Sequence, residues 1–211
     1  MGYKGTEIKK YFINYPWLNN NTLKINFGKP IAPKPEESWN ITLSNTGLNT
    51  LTQKRLYLIR NHIRSKQFML TYGDGVANIN LHSLMKHHNN MVKEHGVLGT
   101  ITTYCPKSRF GIVYERGKLV SAFKEKPQTG NMINVGFMIF EKDIFKIISD
   151  ANISLEGTEG TNASLLMTLS KQGKLAYYLH EGFWECMDTY RDYVNLNNLW
   201  KAGKPWKTWK N

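Results

Sequence analysis

FMLTYGDGV, residues Phe68–Val76, runs a short strand-forming segment straight into Gly-Asp-Gly. Phe68–Tyr72 is a continuous apolar run, the kind found in strands buried on both faces of a parallel sheet. Downstream, Leu81, Leu84, Met85, His88, Met91 and Val92 repeat with helical period, and Gly96 supplies a stop. Val97–Tyr104 returns as a β-branched strand. The segment therefore predicts a strand–helix–strand unit whose turn is Gly73-Asp74-Gly75. In open α/β sheets ligands bind outside the carboxyl ends of the strands, where Asp74 is placed. Its flanking glycines permit either a positive φ or close approach of the backbone to a ligand. Asp74 alone reads as a turn residue or as a metal ligand.

Outward from this unit, the pattern continues as α/β with a mixed, mostly parallel sheet. Thr6–Phe12 predicts a short helix ended by Tyr15-Pro16, and Leu23–Phe27 a strand followed by a rigid Pro30–Pro35 connector. Trp39, Ile41 and Leu43 alternate as in a half-buried strand, and Leu51–Ile63 as in a helix. Gly111–Tyr114 and Leu119–Phe123 flank a hairpin turn, and Val135–Phe140 is another apolar strand. Phe145–Ile148 and Leu165–Leu169 belong to helices, Leu175–Leu179 to a strand, and Thr189–Trp200 to a final helix. No repeat or linker divides the 211 residues, so a single domain over 1–211 is expected.

Composition narrows the partners. Hydrophobic residues make up 41% of the chain and charged residues 21%, enough apolar mass for a core. No apolar run approaches the ~18 residues that span a bilayer, and MGYKGTEIKKYF lacks a signal-peptide core, so a cytoplasmic protein without membrane attachment is expected. A formal charge of +12 fits anionic partners. Because the lysines and arginines are spread rather than striped, phosphorylated small molecules fit better than nucleic acid. Cys105 and Cys186 form no CxxC pair, and the six histidines include no HExxH spacing. Trp200, Trp206 and Trp209 suit a core cover or an interface.

Three further positions carry candidate chemistry. In GFWECMDTYRDY, Asp188 precedes a helix, where Thr189 and Asp192 resemble a capping box. Either Asp188 or Thr189 is then simply the N-cap, or Asp188 is, with Asp74, one of two carboxylates on a Mg²⁺ that completes its shell with phosphate oxygens and water. In FKEKP, Lys126 sits before Pro127 at a strand end, a point charge for a phosphate or a solvated lysine beside Glu125. Arg55 and Arg109 read as phosphate contacts or as surface and structural residues.

Taken together, GYKG with EIKKYF, WNITLSNTG, FMLTYGDGVANI, RFG, FKEKPQTGNMINVGF, LLMTLSKQGKL, and GFWECMDTYRDYVNLNNLW with GKPWKTW resemble the sugar-nucleotide pyrophosphorylases. Within them they are most similar to the glucose-1-phosphate cytidylyltransferases. The resemblance runs in order from Gly2 to Trp209. It implies a Rossmann-like, GT-A-like nucleotidyltransferase fold with a mixed sheet. It implies an enzyme that joins CTP to glucose 1-phosphate, giving CDP-glucose and pyrophosphate for deoxysugar and lipopolysaccharide O-antigen synthesis, and that assembles into homo-oligomers. The family's GDG and MDT aspartates match Asp74 and Asp188, both Mg²⁺ ligands, and its EKP lysine matches Lys126, which faces the sugar phosphate. Thr50, Arg55 and Gly73 fall at substrate-contacting positions.

The pattern departs from the family in three places. Met1-Gly2-Tyr3-Lys4-Gly5 stands where the family's second strand is ending, so a GGxGTR loop and the first strand–helix–strand unit are expected to be missing. That implies an N-terminally truncated domain with exposed sheet edges and impaired activity, or else a non-catalytic remnant that binds a sugar phosphate or a partner. Ala163-Ser164 replaces a Glu-Pro pair beside the sugar pocket, and Gln53-Lys54 replaces a glycine pair in the nucleotide loop.

Overall fold

The computed structural model describes residues 1–18, 24–26, 29–31, 39–108, 110–128, 130–157 and 164–209. These divide into two compact units, Met1–Ile63 with Ile148–Ser164, and Arg64–Ile147 with Leu165–Asn211.

In the first unit, α1 (Gly5–Leu18) is followed by an antiparallel pair, β1 (Lys24–Asn26) and β2 (Lys29–Ile31), and then by α2 (Thr52–Ile59), which tightens into a 3₁₀ turn at Arg60–His62. The helix does not stop at Tyr15-Pro16 but runs through Pro16. A proline that close to the end forfeits one backbone bond and leaves few turns to disrupt. The connector expected over Pro30–Pro35 begins inside β2, and its residues 32–35 lie outside the described ones. The strand expected around Trp39–Leu43 is absent: the segment is irregular, with Trp39 56% and Ile41 45% exposed. Alternation needs a neighbouring ladder to become a strand, and none of the described strands pairs with it.

The second unit contains β3 (Gln67–Leu70), β4 (Gly75–Ala77), α3 (Leu81–His95), β5 (Gly99–Tyr104), β6 (Ile112–Arg116), β7 (Leu119–Lys124) and β8 (Ile133–Glu141). A 3₁₀ turn at Lys142–Lys146 replaces the helix expected at Phe145–Ile148. Then come α4 (Leu165–Lys171), β9 (Leu175–Leu179), β10 (Trp184–Cys186) and α5 (Tyr190–Ala202). The α3 stripe forms as its spacing predicts. Asn80 caps it by accepting from the Ser83 N–H at 3.0 Å, Leu84 and His88 are buried, and Gly96 ends it at φ +61°.

The main sheet has the order β3-β8-β5-β9. It is mixed, but not mostly parallel: β8 runs antiparallel to both neighbours, and only β5 and β9 are parallel. β3 and β5 do point the same way across the α3 crossover, yet the crossover skips one position and β8 fills it. The consecutive residues Ile139 and Phe140, on opposite faces of β8, are both fully buried. The doubly buried central strand is thus β8, whereas β3 lies at an edge with Met69 46% exposed. On one face Ile79, Leu84 and Ile139 form a core cluster covered by Met85, Phe137 and Tyr178.

Candidate active site

β4 leaves the main sheet and pairs antiparallel with β10, Cys186 opposite Gly75. One residue beyond the ladder, the Met187 N–H donates to the Asp74 carbonyl at 2.9 Å. The backbones of Asp74 and the Met187-Asp188 step are therefore held side by side, 114 positions apart in sequence only because β4 and β10 meet. Both aspartates are exposed. Among the described residues neither has an ion-pair partner. Asp188 is set by its neighbours: Oδ2 accepts from Cys186 Sγ at 3.2 Å, and its N–H donates to Asp192 Oδ2 at 3.2 Å.

The capping box forms. Thr189 Oγ1 accepts from the Asp192 N–H at 3.2 Å, while Asp192 Oδ2 takes the Thr189 N–H at 2.9 Å. This separates the two readings of Asp188. The cap is made by Thr189 and Asp192, which frees the Asp188 carboxylate from that duty. Gly73 and Gly75 do not use positive φ. The remaining reason for them is space: an added Cβ at Gly73 meets nothing within 4 Å, and one at Gly75 would lie 3.5 Å from Trp184 Nε1.

Gly136 in β8 shapes the same corner. It takes φ +80° beside an irregularity in the β5–β8 ladder, and an added Cβ there would collide with the Tyr72 ring. Asn134 Oδ1 holds it by accepting the Gly136 N–H at 3.1 Å. The Tyr72 hydroxyl and Trp184 Nε1 are buried with no hydrogen-bond partner among the described residues. A buried donor left unmade costs roughly 1–3 kcal/mol, which is tolerated where a ligand completes it. In sequence Tyr72 only ends the apolar Phe68–Tyr72 run and Trp184 only lies within GFWECMDTYRDY; the fold reveals their orphaned polar atoms. Trp184→Phe is expected to raise KM for the substrate that fills this corner by about 5–10-fold while leaving the ligand-free melting temperature unchanged or higher. Steady-state kinetics with a thermal melt checks both halves.

Lys126 follows β7 at φ +45°, an unusual conformation for a residue that precedes proline. The loop after it is pinned by a bridge between Lys107 and Gln128 and by the Ser108 N–H donating to the Pro127 carbonyl at 2.7 Å. Lys126 Nζ lies 3.7 Å from Glu125 Oε1, both side chains exposed, so its contact with Glu125 is a weak surface pair. No hydrogen bond or ion pair among the described residues joins Lys126 to Asp74 or Asp188. Arg109 lies outside the described residues.

Thr50 and Arg55 belong to the first unit and meet around Thr46. Thr50 Oγ1 donates to the Thr46 carbonyl at 2.5 Å, Arg55 Nη1 to Thr46 Oγ1 at 2.5 Å, and Arg55 Nη2 to the Leu48 carbonyl at 3.3 Å. Gln53, at the expected glycine-pair position, is instead buried, its backbone N–H donating to the Ile153 carbonyl at 3.1 Å. Of the Ala163-Ser164 pair only Ser164 is described, and it is fully buried.

A mixed α/β sheet with two exposed carboxylates brought together at a strand end suits an enzyme that handles phosphate esters. The chain belongs to the nucleotidyl transferase family, whose model matches residues 27–202. Within that family it is similar to the glucose-1-phosphate cytidylyltransferase of Salmonella typhimurium, at 38% identity over 215 residues that cover 99% of this chain and 79% of the relative. A Bacillus subtilis protein assigned the same activity is 36% identical over 212 residues, covering 99% and 80%. Among solved structures, a Bacillus anthracis protein assigned as a glucose-1-phosphate thymidylyltransferase superposes with a TM-score of 0.53 at 15% identity, over 88% of this chain and 69% of that one. The GT-A-like, Rossmann-like fold is therefore shared well beyond close sequence similarity.

Proposed function

We propose that the chain transfers a cytidylyl group from CTP to glucose 1-phosphate, giving CDP-glucose and pyrophosphate. The observation that carries this reading is the β4–β10 corner, where Asp74 and Asp188 have no cationic partner among the described residues, in a chain similar to glucose-1-phosphate cytidylyltransferases. A phosphate oxygen of the sugar phosphate attacks the α-phosphorus of CTP, and pyrophosphate departs. Both reactants are anions, so the work is alignment and charge neutralisation, with no protein nucleophile.

Two exposed carboxylates with open coordination suit Mg²⁺, which binds through one or two carboxylates plus substrate phosphates. Held by Asp74 and Asp188, Mg²⁺ would offset the charge on those phosphates. Lys126 is the residue proposed to meet the sugar phosphate, a role supported by its backbone at φ +45°, and Gly73 leaves room for a ligand beside the backbone. Thr50 and Arg55 order the loop that ends at α2 by bonding to Thr46. Assembly into homo-oligomers is part of the proposal. It is supported by apolar side chains left open on the β6–β7 hairpin, Leu119 at 76% and Phe123 at 61% exposure.

The direct test is incubation of the purified chain with Mg²⁺, glucose 1-phosphate and each of CTP, dTTP and UTP. CDP-glucose with pyrophosphate, selectively from CTP, is the expected outcome; no nucleotide sugar from any of the three would overturn it. Lys126→Met is expected to raise KM for glucose 1-phosphate about tenfold or more with a smaller effect on KM for CTP. An equal effect on both substrates would remove Lys126 from the sugar-phosphate side.

A further inference from the structure

The end of the main sheet away from Asp74 gathers positive charge that no ion pair among the described residues neutralises. β3 and β8 pair with Gln67 opposite Glu141, and one step further the Lys142 N–H donates to the Lys66 carbonyl at 2.6 Å. Two lysines thus stand directly across the ladder from each other, an arrangement that repels. Arg64 adds a third positive charge, and the three side chains line a cavity of ≈ 320 Å³ with Glu141 and Asp143.

Neither acid answers the lysines. Glu141 Oε1 is turned inward, accepting from Gln67 Nε2 at 2.6 Å and from His88 Nε2 at 3.1 Å. Asp143 Oδ1 is engaged by Lys146 Nζ at 2.8 Å. Among the described residues no ion pair reaches Arg64, Lys66 or Lys142.

We propose that this cavity binds a small oligophosphate anion, at a site separate from the Asp74 corner. Repulsion between paired lysines is a local conflict that a bound anion turns into attraction. Three cations around one cavity match the spread oxygens of a diphosphate better than a single point charge, and the arginine fork can take two of those oxygens. The separation follows from the strand itself. Arg64 and Lys66 precede β3 and Asp74 follows it, and four strand residues alone span about 13 Å. The proposal stands independently of the catalytic reading.

Inorganic pyrophosphate is the probe, titrated into the ¹⁵N-labelled full chain. The amides of Lys66, Gln67 and Lys142 report this end, and those of Gly73 and Asp74 report the other. Saturable shifts at Lys66 and Lys142 are expected, retained in Asp74→Asn and weakened about tenfold in apparent Kd by Lys66→Gln with Lys142→Gln. That double variant removes a repulsion, so its melting temperature is expected to hold or rise. Should it misfold, Arg64→Gln at its exposed position serves instead, with about a threefold weakening expected. Non-saturating shifts, equal shifts with chloride at matched ionic strength, or an unchanged Kd in the variants would each overturn the site.

Discussion

Asp74→Asn is expected to lower kcat/KM for CDP-glucose formation by on the order of 10²–10³-fold with the fold intact. The substitution keeps shape and removes one negative charge from an exposed carboxylate that has no ion pair among the described residues. Stability should therefore move by no more than about 0.5 kcal/mol, as at other surface positions without special contacts. What changes is the affinity of the corner for a hard cation, since an amide oxygen is a poorer ligand than a carboxylate. Raising the Mg²⁺ concentration is expected to recover part of the lost rate in Asp74→Asn. Near-normal turnover at ordinary Mg²⁺ would take Asp74 out of the site, and a collapsed thermal melt would make it structural.

The second large effect concerns stability. His88 is fully buried on α3, with Nδ1 2.8 Å from Thr100 Oγ1 and Nε2 3.1 Å from Glu141 Oε1. A carboxylate only accepts, so Nε2 carries the proton and Nδ1 accepts from the threonine hydroxyl. Burial, together with the neighbouring His87, holds the imidazole below its ordinary value of 6.5 against the upward pull of the Glu141 hydrogen bond and charge. The folded state therefore resists a proton that the unfolded chain accepts. Stability from this group is full above about pH 6.5 and declines as the pH falls below it, with a limiting slope of about 1.4 kcal/mol per pH unit.

His88→Leu leaves the Thr100 hydroxyl and Glu141 short of a partner and is expected to cost about 2–4 kcal/mol at neutral pH. His88→Gln retains hydrogen-bonding capacity without titrating. Its denaturation free energy should show a shallower fall between pH 7 and pH 5 than the parent. Parallel curves for parent and glutamine variant would show that His88 does not set the acid sensitivity.

How much of this was legible in the residues differs from element to element. α3 was plain from spacing, because Leu84 and His88 recur on one face and Gly96 supplies a chemically specific end. The Thr189–Asp192 box was equally local, and it formed. Trp39–Leu43 shows the opposite: alternation is local, but a ladder partner is not, and the segment stays irregular. The direction of the sheet failed for a similar reason. An apolar run such as Phe68–Tyr72 suits any buried strand, and nothing within it reveals that β8, more than sixty residues on, occupies the neighbouring slot.

By itself the sequence determined the α/β class, the αβ punctuation, the family resemblance, and which carboxylates and lysine to watch, since each rests on residue type and short-range spacing. The tertiary structure alone decided that the Asp74 and Asp188 backbones share one strand end, and that Tyr72 and Trp184 keep donors there with no hydrogen-bond partner among the described residues. It also set Lys66 against Lys142. Those are pairings between distant segments, created by ladder register, and register is a property of packed strands rather than of any one stretch of chain.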